Sequence, residues 1–144
     1  MFNLEVDDRL SAWSDLRKQI DSTENSLELL ASFWGNTPFT PHNPMLDPFY
    51  QGKWPTPWEI IVHNKYDDFT KAVMIGYTLL LTETYKDSNI VVKTLVDDNN
   101  NRLYNVTVVD NSLVLNYVDN QVVQVDSLPS LYRLENLVQL DRPR

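Results

Sequence analysis

The sequence predicts an α+β domain in which N-terminal helices precede a C-terminal antiparallel sheet. Apolar residues recur three or four apart in the first part of the chain, and the period changes to two from Ile90 onward. Short connections between the later segments favour antiparallel pairing of neighbouring strands. Helices followed by strands are typical of an α+β fold with a central helix packed on one face of the sheet. The 144 residues suit a single domain spanning 1–144.

The first 35 residues predict two helices. Over residues 7–20 apolar side chains that include Trp13 and Leu16 form one stripe, with charged residues between them. A polar run then interrupts the pattern. The second helix is rich in Leu and aromatic residues and ends at Gly35, a residue type favoured just past helix C-termini.

Residues 36–56, here called the strap, differ in composition from the rest of the chain. Six of the eight prolines lie between Pro38 and Pro57. Because proline fixes its own φ and biases the preceding residue away from helix, the strap is predicted to be extended and stiff. Its aromatic residues are expected to be partly buried against the domain; they are Phe39, Phe49, Tyr50 and Trp54.

A capping box marks the start of a third helix. Thr56 stands at the predicted N-cap, Pro57 at the first helical position and Glu59 at the third. The helix should end at about His63, where a turn follows.

A longer fourth helix is predicted from Asp67 or Asp68 to about Thr84. Its packed face contains two small residues, Ala72 and Gly76, which permit close approach of a neighbouring element. This helix is the one expected to lie on the sheet.

Five strands are predicted in the last third of the chain. They are Ile90–Val96, Leu103–Val109, Leu113–Val118, Val122–Val125 and Leu131–Leu137, separated by turns rich in Asn, Asp and Ser. The chain has only three glycines, so Asn and Asp are expected to occupy positions that need positive φ.

Composition excludes several classes of function. The chain has no cysteine, which excludes disulfides, thiolate nucleophiles and Cys-based zinc sites. The net charge of −8 and the lack of a basic stripe argue against nucleic acid and anionic membranes as partners. The N-terminus lacks the pattern of a signal peptide, and the apolar stretch 72–81 is too short to span a bilayer.

Candidate catalytic and metal-binding residues are few. His42 and His63 are 21 positions apart without a suitably spaced acid, so a structural or surface role is expected for both. Asp97, Asn99 and Asn101 match half of a calcium-loop pattern, but Arg102 replaces the required glycine. A turn between strands explains that segment.

Asp67 and Asp68 could form a pair of carboxylates, yet acids at a helix start are also favoured by the helix dipole, and this second interpretation is preferred. No phosphate-binding glycine loop or nucleophile elbow is present. The sequence therefore predicts no enzyme activity, no catalytic residue, no metal and no cofactor.

The order of elements from Trp54 through Phe69 and into the strands resembles bacterial transglutaminase-like cysteine proteases. The motif Asp67-Asp68-Phe69 is similar to the family's segment after the nucleophile, which puts Tyr66 at the cysteine position. The histidine position would fall near Leu103 or Tyr104, and the aspartate position near Asn116. A tyrosine hydroxyl without a base cannot replace a thiolate paired with imidazole. The resemblance therefore implies an inactive scaffold.

Further segments resemble small proteins of contractile-tailed bacteriophages, notably marine and cyanobacterial ones. The most specific is the W-P-x-P-W-E element at residues 54–59, and the others lie at residues 13–17, 31–39, 46–48, 72–79 and 114–117. This resemblance implies a virion component made in the host cytoplasm, in which aromatic residues act as anchors to neighbours. The candidate contact residues are Trp13, Leu16, Phe39, Phe49, Tyr50, Trp54 and Trp58. Trp54 and Trp58 are also candidates for the core.

Two hypotheses follow from the sequence. The first is a non-enzymatic phage structural or assembly protein of the neck, tail or baseplate, whose partners are other phage structural proteins, in multiple copies within a symmetric assembly. The alternative is an inactive transglutaminase-like domain that binds a host or phage protein in the infected cell. Convergence of Tyr66, Tyr104 and Asn116 in one cleft would favour the alternative.

Overall fold

The computed structural model describes residues 1–38, 40 and 45–144. Within these residues, helices occupy the first part of the chain and strands the second, as predicted. The helices are α1 (Val6–Ser22), α2 (Ser26–Gly35), α3 (Pro57–His63) and α4 (Asp68–Leu80). The strands are β1 (Ile90–Asp97), β2 (Arg102–Val109), β3 (Leu113–Leu115), β4 (Val123–Gln124) and β5 (Arg133–Leu140). The α+β class is confirmed.

The five strands form one antiparallel sheet in the order β4-β3-β2-β1-β5. The first four are the predicted meander. The fifth returns to the opposite edge and pairs with β1, with Ile90 opposite Leu140. The return is possible because the connection before β5 crosses the outer face of the sheet, where Leu128 and Tyr132 pack on an apolar layer.

Helix α4 covers the inner face of the sheet. Gly76 is the point of closest approach, since a Cβ atom there would lie 2.4 Å from Leu140 Cδ1 and 3.0 Å from Ile90 Cγ2. One turn earlier, Thr107 Oγ1 of β2 donates a 2.6 Å hydrogen bond to the carbonyl oxygen of Ala72. The close contact predicted for Ala72 and Gly76 is therefore confirmed, and its partner is the sheet.

Helix α1 packs against α3 and α4 through residues that had been proposed as a docking surface. Trp13 is fully buried and its indole N–H donates to Thr78 Oγ1 at 2.9 Å, while its ring contacts Trp58 edge-on. Leu16 is also buried. The two side chains proposed as contacts, Trp13 and Leu16, are thus covered by their own domain, because the apolar stripe of α1 faces inward.

The strap is only partly extended. Its described C-terminal half contains a 3-10 turn, Gln51–Lys53, which the proline-based prediction missed. The side chain of Gln51 donates to the carbonyl oxygen of Gln139 at 3.0 Å, and this contact places the strap beside the edge strand β5. Phe39, Pro41, His42, Asn43 and Pro44 lie outside the described residues.

Two local predictions, the capping box of α3 and the use of Asn and Asp at positive φ, are confirmed. The capping box is present, with Thr56 Oγ1 accepting from the Glu59 N–H and the Glu59 carboxylate accepting from the Thr56 N–H. Every positive-φ residue in the described chain is Asn or Asp, as the shortage of glycine predicts; the six are Asn64, Asn101, Asp110, Asn111, Asn116 and Asn120.

Several predicted bounds differ from the structure. Strand β4 is one residue shorter at each end than predicted, and β5 begins two residues later and ends three residues later. Helix α4 stops at Leu80 rather than near Thr84, because the Asp21 carboxylate accepts hydrogen bonds from the N–H groups of Glu83 and Thr84 and diverts the chain. Strand β3 stops at Leu115 rather than Val118, because Asn116 takes a φ of 66° that no extended strand can continue.

Candidate functional site

Asp68, in the first turn of α4, is the centre of a polar network that joins the helix to the sheet. One carboxylate oxygen accepts from the backbone N–H and the side-chain amide of Asn105 on β2, at 3.2 and 3.1 Å. The other accepts from the Asn116 amide at 3.2 Å. Asp67 caps the same helix by accepting from the Thr70 N–H at 2.7 Å. The adjacent acids therefore point to different partners, as their helix-start interpretation requires.

Asn116 and Thr94 complete the network. The Asn116 amide also donates to the Asn105 carbonyl oxygen at 2.8 Å, and Thr94 Oγ1 donates to Asn105 Oδ1 at 2.8 Å. Both oxygens of the Asp68 carboxylate are thus occupied by donors of the protein. A carboxylate held in this way stabilises structure, and no imidazole of the described residues lies beside it to be activated.

Tyr66 lies one turn before α4 but its side chain is part of the core. Its ring contacts Phe2 and Trp34 edge-on, with centroids 5.5 and 5.4 Å away. The buried hydroxyl has no hydrogen-bond partner among the described residues. Burial raises the pKa of Tyr66 well above its ordinary value, although the positive charge of Arg9 opposes the rise. The hydroxyl stays protonated and cannot act as a nucleophile at neutral pH.

Tyr104 lies on the face of the sheet opposite α4. Its ring stacks on Tyr132 at 5.2 Å and contacts Tyr117 at 5.1 Å, and the hydroxyls of Tyr117 and Tyr132 are 2.9 Å apart. The β2 side chain that meets the start of α4 is Asn105, one residue further along. Tyr66, Tyr104 and Asn116 do not all line one cleft, since Tyr66 lines a small hollow and the other two line a separate groove. The convergence that would have favoured the inactive transglutaminase-like alternative is therefore not found. Asp68, Asn105 and Asn116 converge instead.

Two hollows open beside this network. A small one of about 130 Å³ is lined by Tyr66 and Asp67, and a larger groove of about 720 Å³ runs along the start of β2 and past Asn116. They share Asp68, Lys71 and Asp119. Lys71 Nζ lies 3.2 Å from the Asp119 carboxylate, so this ion pair separates the hollow from the groove.

His63, the one histidine among the described residues, does not join the site. His63 is exposed at the end of α3, near Glu59, and His42 lies outside the described residues. The Asp97 carboxylate accepts from the Asn99 N–H and the Asn100 amide within the β1–β2 turn, which matches the turn interpretation of that segment.

Within the described parts of the chain, no group of three or more metal-ligating side chains is placed to hold an ion. Over the same residues, the helices are too short or too polar for a bilayer crossing.

The remaining predicted contact residues divide into two groups. Phe49 and Tyr50 are 71% and 60% exposed, so the partial burial predicted for the aromatic residues of the strap is wrong for these two, and they remain candidates for a contact. Trp54 and Trp58 are half-buried: Trp54 packs on Phe69 and donates to the Asp47 carbonyl oxygen at 2.6 Å. The element at residues 54–59 therefore has a structural role within this fold. Phe39 lies outside the described residues.

Sequence reasoning missed Asn105 and undervalued Asp68. A signal existed in β2, where Asn105 and Thr107 alternate with Val106 and Val108. The two valines are buried on the outer face, and the polar pair faces α4. A polar residue level with the start of the packed helix was the clue to the network.

The fold and the site geometry define a class: an α+β domain in which the start of a core helix abuts two neighbouring strands of an antiparallel sheet. The chain is similar to LapG of Legionella pneumophila in its calcium-bound form, with a TM-score of 0.68 and 18% identity over 92% of this chain and 75% of that one.

Two further LapG structures give the same result. One has a TM-score of 0.67 and 18% identity over 90% of this chain and 73% of that one. The EGTA-treated form also has a TM-score of 0.67 and 18% identity, over 90% of this chain and 71% of that one. No protein-family model and no curated protein sequence matches the chain. At this identity the likeness shows the fold alone.

Proposed function

We propose that this protein is a catalytically inactive domain of the transglutaminase-like fold that acts by binding another protein. The observation that carries the proposal is the network of Asp68, Asn105 and Asn116 at the junction of α4, β2 and β3. Two amide side chains face the helix start, Asn105 on β2 and Asn116 just after β3, and an amide acts as neither an acid nor a base at neutral pH. Nothing in this arrangement can attack a carbonyl carbon.

Tyr66 supports the same conclusion. It is the residue that the resemblance puts at the nucleophile position, and its ring is sequestered between Phe2 and Trp34. A nucleophile needs a lowered pKa or an adjacent base, whereas burial raises the pKa of this hydroxyl. The fold is kept while the chemistry is absent, and binding is the function that such a scaffold can retain.

Activity assays test the first half of the proposal. The purified protein is incubated with casein and a fluorescent primary amine, which reports transamidation, and with a pool of fluorogenic peptides, which reports hydrolysis. No turnover above a heat-denatured sample is expected. Turnover by the native protein that disappears in Tyr66→Phe or Asp68→Asn would overturn the proposal.

Tyr77→Phe is the matched control for Tyr66→Phe. Tyr77 is another tyrosine whose pKa is raised by burial, but it lies in the second half of α4 and lines neither the hollow nor the groove. Loss of turnover in both variants would indicate contamination or unfolding rather than an active site.

The virion hypothesis remains a second candidate. Its support is the set of phage-like segments in the sequence and the exposed pair Phe49 and Tyr50, which have the character of interface anchors. It predicts stoichiometric copies in purified particles, detectable by mass spectrometry. Absence from purified particles would reject it and leave the binding proposal intact.

A further inference from the structure

The start of β2 has a free edge in the groove. Strand β3 pairs only with residues Thr107–Val109, so no strand of the described chain lies beside the first half of β2 on that side. The N–H and C=O groups of Asn105 point to this side, since they bond to Asp68 and Asn116. In an antiparallel ladder alternate residues point the same way, so the backbone groups of Leu103 face the groove as well.

Apolar side chains surround this edge. Leu103 is 59% exposed and Val118 is 42% exposed, and both line the groove together with Tyr117. An exposed strand edge with apolar side chains on either side is the geometry to which extended peptides add as a further strand.

Two cations, Arg102 and Lys71, line the groove together with two carboxylates, Asp68 and Asp119, and the chain as a whole carries a net charge of −8. An acidic ligand therefore needs cations that these carboxylates leave available. Arg102 lies over the Tyr104 ring at 5.0 Å, and no salt bridge joins it to any of the described residues. The nearby acids are engaged elsewhere: Asp97 caps its own turn and Asp98 pairs with Arg133. The guanidinium of Arg102 is therefore available to a carboxylate.

Lys71 supplies the second cation. Its side chain is 16% exposed, whereas its partner Asp119 is 66% exposed. An ion pair with one partner in solvent contributes little and exchanges readily. A carboxylate from a ligand can replace Asp119 on Lys71 without disturbing the network of Asp68, whose oxygens are already occupied.

We propose that this groove binds an extended acidic segment of a partner protein, which adds to the free edge of β2 at Leu103 and places carboxylates on Arg102 and Lys71. The proposal rests on the protein-binding function proposed above and names the chemistry of the partner. Its physical basis is the coincidence of three features in one groove: an unpaired strand edge, apolar walls and two cations.

Fluorescence anisotropy tests the charge complementarity. The probe is a fluorescein-labelled, N-acetylated octapeptide, Glu-Glu-Val-Ile-Val-Thr-Glu-Glu, and its partner probe has glutamine in place of every glutamate. The acidic probe is expected to bind and to weaken as salt is added, and the glutamine probe to bind about tenfold more weakly. Equal binding of the two probes, or no binding of the acidic one, would overturn the proposal.

Variants of the protein locate the site. Arg102→Gln is expected to weaken binding of the acidic probe about tenfold, the loss expected for one charge-assisted contact. Arg142→Gln, an exposed arginine outside the groove, is the matched control and should change it less than about twofold. An equal loss in both variants would show that only net charge matters and would reject the groove.

Asp119→Asn gives a prediction of opposite sign. Removing this carboxylate releases Lys71, so the acidic probe should bind about threefold more tightly, while Lys71→Gln should weaken it. Damage to the fold would lower affinity in both variants. A loss of affinity in Asp119→Asn would therefore contradict the proposed exchange of carboxylates on Lys71.

Backbone methylation tests the strand addition. Two versions of the acidic probe carry N-methyl groups on alternate residues, one version on the odd positions and the other on the even positions. Because a strand directs alternate N–H groups to one edge, only one version should lose binding. Equal behaviour of the two versions would reject pairing with β2.

The assays separate this proposal from the proposed function. If the acidic probe does not bind and no turnover occurs, the groove proposal fails and the inactive-domain proposal stands. If the probe binds and is cleaved, the groove proposal stands and the inactive-domain proposal fails.

Discussion

The two halves of the interface between α4 and the sheet differ in chemistry. The second half of the helix is dry: Gly76 lies against Leu140 and Ile90 with no room for a methyl group. The first half is polar, and Asp68 reaches Asn105 and Asn116 through hydrogen bonds. One helix thus packs by shape at one end and by polar pairing at the other.

The difference has a consequence for the sheet. At the dry end β2 is sealed by β3 over residues Thr107–Val109, and at the polar end the side chain of Asn116 replaces the missing strand. On β2 this side chain reaches only the carbonyl group of Asn105, so the edge before Asn105 stays open. The dry half fixes the orientation of the helix, and the polar half leaves room for a ligand.

The largest expected effect is at the dry end. Gly76→Val places two methyl groups where Leu140 and Ile90 already lie, so we expect the free energy of unfolding to fall by about 3 kcal/mol through overpacking. Urea denaturation measures it. Gly52→Val is the control, since a Cβ atom there meets nothing within 4 Å, and should cost no more than about 0.5 kcal/mol. A loss below about 1 kcal/mol in Gly76→Val would contradict the dry contact.

A substitution at the polar end of α4 should lower the free energy of unfolding by less than Gly76→Val does. Asp68→Ala leaves the N–H and the side-chain amide of Asn105 without their acceptor and removes one of the acceptors of the Asn116 amide, at a cost of about 2 kcal/mol because the site is half-buried. Asp126→Ala, an exposed acid outside the network, is the control and should be close to neutral. The double variant with Asn105→Ala should cost less than the sum of the single variants. Additive losses would mean that Asp68 and Asn105 do not act as a pair.

Local features of this fold could be predicted because a few neighbouring residues determine them. The capping box at Thr56 and the Asn and Asp residues at positive φ follow from backbone chemistry within one or two turns. The small residues of α4 correctly predicted a close neighbour. The helix-then-strand order sufficed for the α+β class.

The site could not be predicted in the same way. Which β2 side chain meets α4 depends on which face of the sheet the helix covers, and an error of one residue in a strand moves a side chain to the opposite face. That is why Tyr104 was proposed and Asn105 was missed. The burial of Trp13 within its own domain could not be predicted for a related reason: an apolar stripe on α1 shows that a face is covered, but the sequence does not say whether its own domain or a partner covers it.

The smallest effect on stability is expected at the C-terminal end of α4. Like the N-terminal end, it is held by the hydrogen bonds of one carboxylate. Asp21 of α1 accepts from the N–H groups of Glu83 and Thr84 and from Thr84 Oγ1, at 3.1, 2.9 and 2.7 Å. Burial alone would raise the pKa of Asp21, but the hydrogen bonds from Thr84 and Glu83 outweigh it and hold the pKa below its ordinary value.

A lowered pKa in the folded state means that the contribution of Asp21 to stability is present above the unfolded-state pKa of about 3.9 and is lost as the pH falls through the folded-state value. Asp21→Asn should therefore cost about 1 kcal/mol at pH 7, since solvent screens this exposed carboxylate, and the cost should vanish in strong acid. Urea denaturation from pH 7 to pH 2 measures it, with Asp15→Asn on the same helix as the exposed control. A cost independent of pH would show that the side-chain shape, and not its charge, holds the end of α4. Asp21 would then differ from Asp68, since its negative charge would not be what holds that end of the helix.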